Sequence, residues 1–224
     1  MGGGGEGSRR DHRLKARIFL AGATGAVGKR LVPLLVAQGY EVFGTTRFAA
    51  KAELLRKVGA HPVVVDVFDA ASLAKALQAA NPRVVIHQLT DLPPGLDPAR
   101  IAQAAARNAH IRIEGTKNLI GAALAAGVRR LIAQSIAWQP QGVSAEGVAA
   151  LERQTLQSPP LEGIVLRYGR FYGPGTGKDE PPAELPCHVD VAARAALTAV
   201  EKGEPGIVRV LDSEPYLRLS SGTK

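Results

Sequence analysis

At 224 residues and 23.5 kDa the chain is long enough for one α/β domain and short for two. Its 46% hydrophobic and 21% charged residues exclude disorder over most of its length, and its single cysteine, Cys187, excludes a disulfide framework or a cysteine-rich metal site and fits a reducing cytoplasm. No apolar run reaches about 18 residues, so no membrane span is expected, and a net charge of +8 with only 4% aromatics favours a phosphorylated cofactor or an anionic substrate over nucleic acid.

Residues 1–15 read as a flexible basic tail, because the run Gly2 to Gly5 lacks the apolar core of a signal peptide. Short β-branched runs then alternate with Ala/Leu-rich helical stretches, the pattern of a parallel sheet covered on both faces. Arg17 to Leu20 is the first strand. A helix from about Gly25 to Gln38 follows, stopped by Gly39, although Pro33 inside it costs about 3 kcal/mol in an ordinary helix interior. Glu41 to Thr46 is the second strand and Ala49 to Val58 a helix. In the third strand, Pro62 to Val67, the contiguous Val63, Val64 and Val65 suggest burial on both faces. Ala70 to Ala80 is a helix, Arg83 to Leu89 the fourth strand, and Leu92 to Asp97 a Pro/Gly-rich loop. Asp97 and Pro98 make an N-cap and first helical turn, opening one long helix to Ala126 that Gly127 ends. Val128 to Ile136 is the fifth strand, Ala145 to Gln157 a helix and Gly163 to Phe171 the sixth strand. A proline-rich linker, Asp179 to Pro186, leads to a helix from Val189 to Val200 and a short strand from Ile207 to Leu211. The order is that of a Rossmann-type, doubly wound parallel sheet in a single domain, residues 16–224, with a reduced C-terminal lobe from about residue 174.

The strongest motif is Gly22-Ala23-Thr24-Gly25-Ala26-Val27-Gly28, between the first strand and the first helix. Glycines there let the backbone turn tightly and approach a pyrophosphate, whose charge rests on the free N–H groups of the helix N-terminus. A side chain at Gly25 is expected to fill the phosphate's volume and to disfavour a positive-φ turn. Arg47 ends the second strand, where an acidic residue usually meets the ribose of NAD. Thr45, Thr46 and Arg47 instead offer two hydroxyls and a guanidinium to a 2′-phosphate, which favours NADP with NAD still open.

Further pieces resemble the extended or atypical short-chain dehydrogenases/reductases, the NAD-dependent epimerase/dehydratase family, over about residues 16–212. Asp66-Val67 resembles the pair that holds the adenine. Val84 to Leu89, running on to Thr90, resembles the strand-four segment beside the cofactor and adds Gln88, Leu89 and Thr90 to the expected cofactor contacts. Glu114 to Leu119 matches the long-helix motif, and Ile132-Ala133-Gln134-Ser135 the strand with the active-site serine or threonine. Arg167 to Pro174 resembles the stretch that lies by the nicotinamide, which implicates Tyr168, Gly169 and Phe171. His188-Val189-Asp190 resembles a segment of the C-terminal lobe.

The departures bear on chemistry. The family's proton relay is Y-x-x-x-K, yet the residues four beyond Tyr40, Tyr168, Tyr172 and Tyr216 are Gly44, Tyr172, Thr176 and Ser220, so the chain has no such pair. Alignment on Glu152 puts Ser144 and Val148 in those places. Ser135 is expected to bond a substrate oxygen or else to cap a strand end. Tyr168 and Tyr172 supply a phenol or pack in the core. Arg112, where relatives commonly carry asparagine, binds an anionic substrate or is a solvated helix residue. The histidines lack metal-ligand spacing. The resemblance implies an NAD(P)-binding oxidoreductase or epimerase-like protein acting on a small carbonyl or alcohol, with a catalytically silent NADP-binding sensor as the alternative. Partners are a small-molecule substrate, with neither nucleic acid nor membrane, in a monomer or homodimer.

Overall fold

In the computed structural model, residues 15–92 and 98–219 are described; all of the basic tail but Lys15, most of the Pro/Gly-rich loop and the Asp97 cap lie outside them. The first half runs β1 (Arg17–Ala21), α1 (Ala26–Ala37), β2 (Glu41–Thr46), a 3-10 turn (Ala49–Lys51) continuing into α2 (Ala52–Lys57), β3 (His61–Val64), α3 (Ala70–Ala80) and β4 (Val84–His87). The second half runs α4 (Pro98–His110), a π turn (Ile111–Gly115), α5 (Thr116–Ala125), β5 (Arg130–Ile136), α6 (Val143–Leu156), β6 (Glu162–Tyr168), β7 (Arg170–Tyr172), β8 (Pro186–His188), α7 (Val189–Lys202), β9 (Gly206–Val210) and β10 (Leu217–Leu219).

Eight strands form one sheet in the order β10-β9-β6-β5-β4-β1-β2-β3, parallel except for the β10–β9 edge. Each strand's alternate side chains serve opposite faces. Ile18 and Leu20 of β1 join Ile86, Ile132 and Ile164 beneath α1 and α7. Phe19 and Ala21 join Val85 and Leu131 beneath α3 and α5. Ile18, Phe19 and Leu20 are completely buried, each worth about 1.5–3 kcal/mol of transfer free energy. Helices on both faces thus turn β1, β4 and β5 into continuous apolar runs. The chain order reverses between β1 and β4, so the carboxyl ends of those strands border the crevice where open α/β sheets bind ligands.

Three expectations need correction. The Val63–Val65 run does not mark a strand buried on both faces: β3 is the sheet edge, Val64 is half exposed, and Pro62 is tolerated because an edge strand lacks a partner on one side. The long helix is not continuous, because a π turn separates α4 from α5. The sixth strand stops at Tyr168, and Arg170–Tyr172 leaves to pair with β8, which begins at the last residue of the expected linker, in a separate two-stranded sheet. Beyond β8, α7 and β9 return to the main sheet, so little of the expected C-terminal lobe stands apart from it. Helix α1 continues through Pro33, which lies on its exposed face beside an exposed Lys29, so the carbonyl deprived of its donor faces water.

Candidate functional site

Helix α1 begins without protection. Gly25 is its N-cap with no side-chain hydrogen bond, no acid occupies its first turn, and its leading N–H groups point into the β1–α1 loop. The left-handed residue is Gly22, at φ +91°, whereas Gly25 has an extended backbone at φ −75° that any residue adopts. The expected positive-φ role of Gly25 is therefore corrected, and only its volume matters. Gly22 is pressed on the end of β4: a Cβ there would lie 2.7 Å from the Gln88 carbonyl oxygen. A Cβ on Gly28 would collide with the Gly22 carbonyl and come within 2.6 Å of the Ala23 oxygen. The loop is thus a tight backbone arch whose outer side, at Thr24, Gly25 and Ala26, stays accessible. Val27 is buried and offers only its backbone.

The neighbouring strand ends add polar groups. Gln88 is buried, its Nε2 donates to the Tyr168 phenol at 3.3 Å, and its Oε1 has no partner among the described residues. Such an orphaned acceptor beside a glycine arch is what a bound polar ligand would satisfy. Thr45 Oγ1 accepts from the Gly22 N–H, and Thr46 Oγ1 accepts from the Phe48 N–H. Both hydroxyls are buried and committed to the backbone, which removes them from the expected phosphate clamp. Arg47 remains, half exposed and loosely paired with Asp91 at 3.7 Å, a contact that water screens and a phosphate would displace. Asp66 bonds the Phe68 N–H with its carboxylate, and the Val67 carbonyl is held by Asn118. Gly115 lets the Val67 side chain approach: a Cβ there would stand 3.2 Å from Val67 Cγ1. Leu89 and Thr90 are half-buried at the same end of β4. These residues fit a dinucleotide, with backbone N–H groups for the pyrophosphate and a guanidinium beyond β2.

The expected catalytic residues lie differently. Ser135 is only 1% exposed, and its hydroxyl donates to Glu152 Oε1 at 2.6 Å. Arg167 holds the same carboxylate with two arms, at 2.8 and 2.6 Å. The hydroxyl hydrogen is thereby engaged within the protein, so Ser135 has no donor left for a substrate oxygen in this arrangement. Tyr168 is equally enclosed: its phenol donates to the Ala192 carbonyl, and burial raises its pKa above the ordinary phenol value. Without a route to solvent it supplies no proton. Gly169 is wedged between Leu185 and Leu211, and the Phe171 ring packs 5.4 Å from that of Tyr168, so this segment is packing rather than an open face. Tyr172 donates to Asp212, and His188 caps α7 by accepting the Asp190 N–H.

His87 lines the same interior. Its Nδ1 accepts from the Leu89 N–H, which places the hydrogen on Nε2, facing Thr116 Oγ1 at 3.1 Å. Burial first, then the Arg112 charge, pushes its pKa down to about 4, so the ring is neutral at pH 7. Arg112, on the π turn, is half-buried and makes no hydrogen bond or ion pair among the described residues. Sequence reasoning named Arg112 but missed the Ser135–Glu152–Arg167 network, because the pairing joins α6 to two strands and leaves no local spacing signal. Among the described residues no metal-ligand cluster occurs and no helix is long and apolar enough to cross a membrane.

Residues 22–153 match a family model described as NAD(P)H-binding. A 3-diazoavenalumate denitrifying reductase from a Streptomyces species is 39% identical over 246 residues, covering 89% of this chain and 77% of that protein. Cinnamoyl-CoA reductase 1 from Oryza sativa subsp. japonica is 34% identical over 134 residues, covering 57% and 36%. The Bordetella bronchiseptica enzyme WbmG, solved with NAD, superposes with a TM-score of 0.70 at 20% identity over 90% of this chain and 74% of that one. A UDP-glucose 4-epimerase from Thermotoga maritima, solved with UDP-glucose, gives 0.70 at 20% identity over 87% and 76%. At those identities the two structures speak for the fold alone.

Proposed function

Because this chain belongs to the NAD(P)H-binding family and has the fold of the extended short-chain dehydrogenases/reductases, we propose that it is an NADPH-preferring reductase of a small electrophilic substrate. The observation that carries this reading is the uncapped N-terminus of α1 behind the Gly22–Gly28 arch, with the orphaned Gln88 oxygen beside it. The N–H groups of Ala26, Val27 and Gly28 would hold the pyrophosphate, that of Gly25 being bonded to the Gly22 carbonyl, and Arg47 would bond the 2′-phosphate in place of its loose contact with Asp91. Asp66 and Val67 would border the adenine, with Leu89 and Thr90 nearer the nicotinamide. When bound, that ring supplies a hydride.

The chain's own part is binding and orientation. With no Tyr/Lys pair, with Ser135 donating to Glu152, with Tyr168 enclosed and with the Tyr172 phenol donating to Asp212, none of the expected groups is free to deliver a proton to a developing alkoxide. An acceptor that takes hydride without that delivery suits the site better than a ketone reduced to an alcohol. The Streptomyces relative is named for such a substrate, a diazo compound that it reduces with denitrification, and the name marks that substrate as an anion.

The test is consumption of NADPH by the purified chain with a panel of diazo aryl carboxylates, quinones, aldehydes and keto acids. Turnover on the diazo or quinone members, above that on aldehydes, is the expected result. Tight NADPH binding with no turnover across the panel returns the protein to the cofactor-sensor reading.

A further inference from the structure

We propose that Arg112 anchors a carboxylate of the substrate, so that this site selects small monoanionic acceptors. The proposal rests on the reductase reading for why a substrate is bound, and on the surroundings of Arg112 for which one.

Of the four side chains the sequence singles out for chemistry, Ser135 and Tyr168 are enclosed and hydrogen-bonded within the protein, and Tyr172 donates to Asp212. Arg112 alone stays partly open and unpartnered among the described residues. The carboxylate whose charge acts on it, Glu152, is already engaged by both arms of Arg167 and by the Ser135 hydroxyl. The other ionisable group facing it, His87, is neutral. Two guanidiniums therefore face one carboxylate, which leaves one positive charge half-buried without a counter-ion. Proteins rarely keep such a charge unless something outside the chain meets it.

The backbone supports the same reading. Arg112 sits in the π turn that interrupts the long helix, and such turns recur at functional sites. The turn is held in place: Gln154 donates to the Ile113 carbonyl, Gly115 packs on Val67, and Thr116 meets His87. A solvated helix residue would need none of this. The planar fork of one guanidinium matches one carboxylate with two parallel hydrogen bonds, and a single uncompensated charge matches a monoanion better than a phosphate dianion. The cofactor's phosphates have their own place at the α1 N-terminus.

The test is calorimetric titration of the full chain, with and without saturating NADPH, using cinnamate and its neutral amide as probes. The wild type is expected to prefer cinnamate. Arg112→Ala is expected to weaken cinnamate roughly 10- to 100-fold while leaving the amide and NADPH unchanged, and Arg112→Lys to lose part of the preference. Removing an unpaired cation should leave the melting temperature equal or higher. Equal binding of the two probes by the wild type, including binding of neither, overturns the proposal. So does a cinnamate preference that survives Arg112→Ala, or a clear fall in melting temperature, which would make Arg112 a structural counter-ion. Failure of NADPH to bind, with the anion preference intact, would count against the reductase reading alone.

Discussion

The β1–α1 end of the sheet and the β5–α6–β6 end carry similar motif strength in sequence but differ in what they leave unpaired. At the first end, among the described residues, the leading N–H groups of α1 have no side-chain cap, Gln88 Oε1 has no partner, and Arg47 holds Asp91 only loosely. At the second, Ser135, Glu152 and Arg167 satisfy one another, and Tyr168 is sealed between Gln88 and Ala192. Unspent hydrogen-bonding capacity points outward to a ligand, whereas a closed network is structure whatever motif it belongs to. Among the described residues of the second end, Arg112 and the buried Gln154 Oε1 are the exceptions, and of the two it is Arg112 that carries a charge and stays partly open, which is why the proposal rests on it.

Removing Glu152 is the strongest way to break the comparison. Glu152→Ala strands the Arg167 guanidinium and the Ser135 hydroxyl, and a loss of about 3 kcal/mol in denaturant unfolding is expected, below the upper range for fully buried pairs because Arg167 is partly exposed. NADPH affinity should hardly move. A loss under about 1 kcal/mol, or a collapse of cofactor binding, would mean that the two ends are not independent.

His87 gives a pH-dependent effect of similar size. Its pKa of about 4 in the folded chain lies below the unfolded value near 6.5, so between those values the unfolded state binds the extra proton and stability falls as pH falls. The full window is worth roughly 3 kcal/mol, and below it the penalty no longer grows. Unfolding curves between pH 7 and 4 should show this slope, and His87→Asn should flatten it; an unchanged slope would contradict the neutral, buried ring.

Arg47 sharpens the first end with a smaller effect. Arg47→Ala should remove about 2 kcal/mol of preference for NADPH over NADH, read from dissociation constants of both cofactors. Equal constants in the unmutated protein would remove Arg47 from the phosphate site.

The layered sheet and the glycine arch were legible because their signals are local: alternating apolar runs for β1, β4 and β5, and glycines where the chain must turn. Burial was less so. Three valines in β3 look like a central strand, yet an apolar run does not say whether a neighbour lies on each side, and the sheet ends there. The π turn was invisible because Ile111 to Gly115 keeps helical composition. The departure of Arg170–Tyr172 to pair with Pro186–His188 depends on a contact across the intervening loop. For the site, motif frame named Ser135, but only the fold brings Glu152 and Arg167 to it and so changes its role. At Gly25 the expected left-handed backbone is absent, since it belongs to Gly22.

Gly25 also offers the most direct test of the claim that the α1 N-terminus is the cofactor's phosphate seat. A Cβ there would meet only the Gly22 oxygen, at 3.3 Å, and the backbone is extended, so Gly25→Val should fold with a stability loss of about 1 kcal/mol. Its branched side chain would stand in the volume before the free N–H groups. Thermal melts of wild type and variant with increasing NADPH should show a rising melting temperature for the wild type and none for Gly25→Val. An equal rise in both would place the cofactor elsewhere and contradict the account.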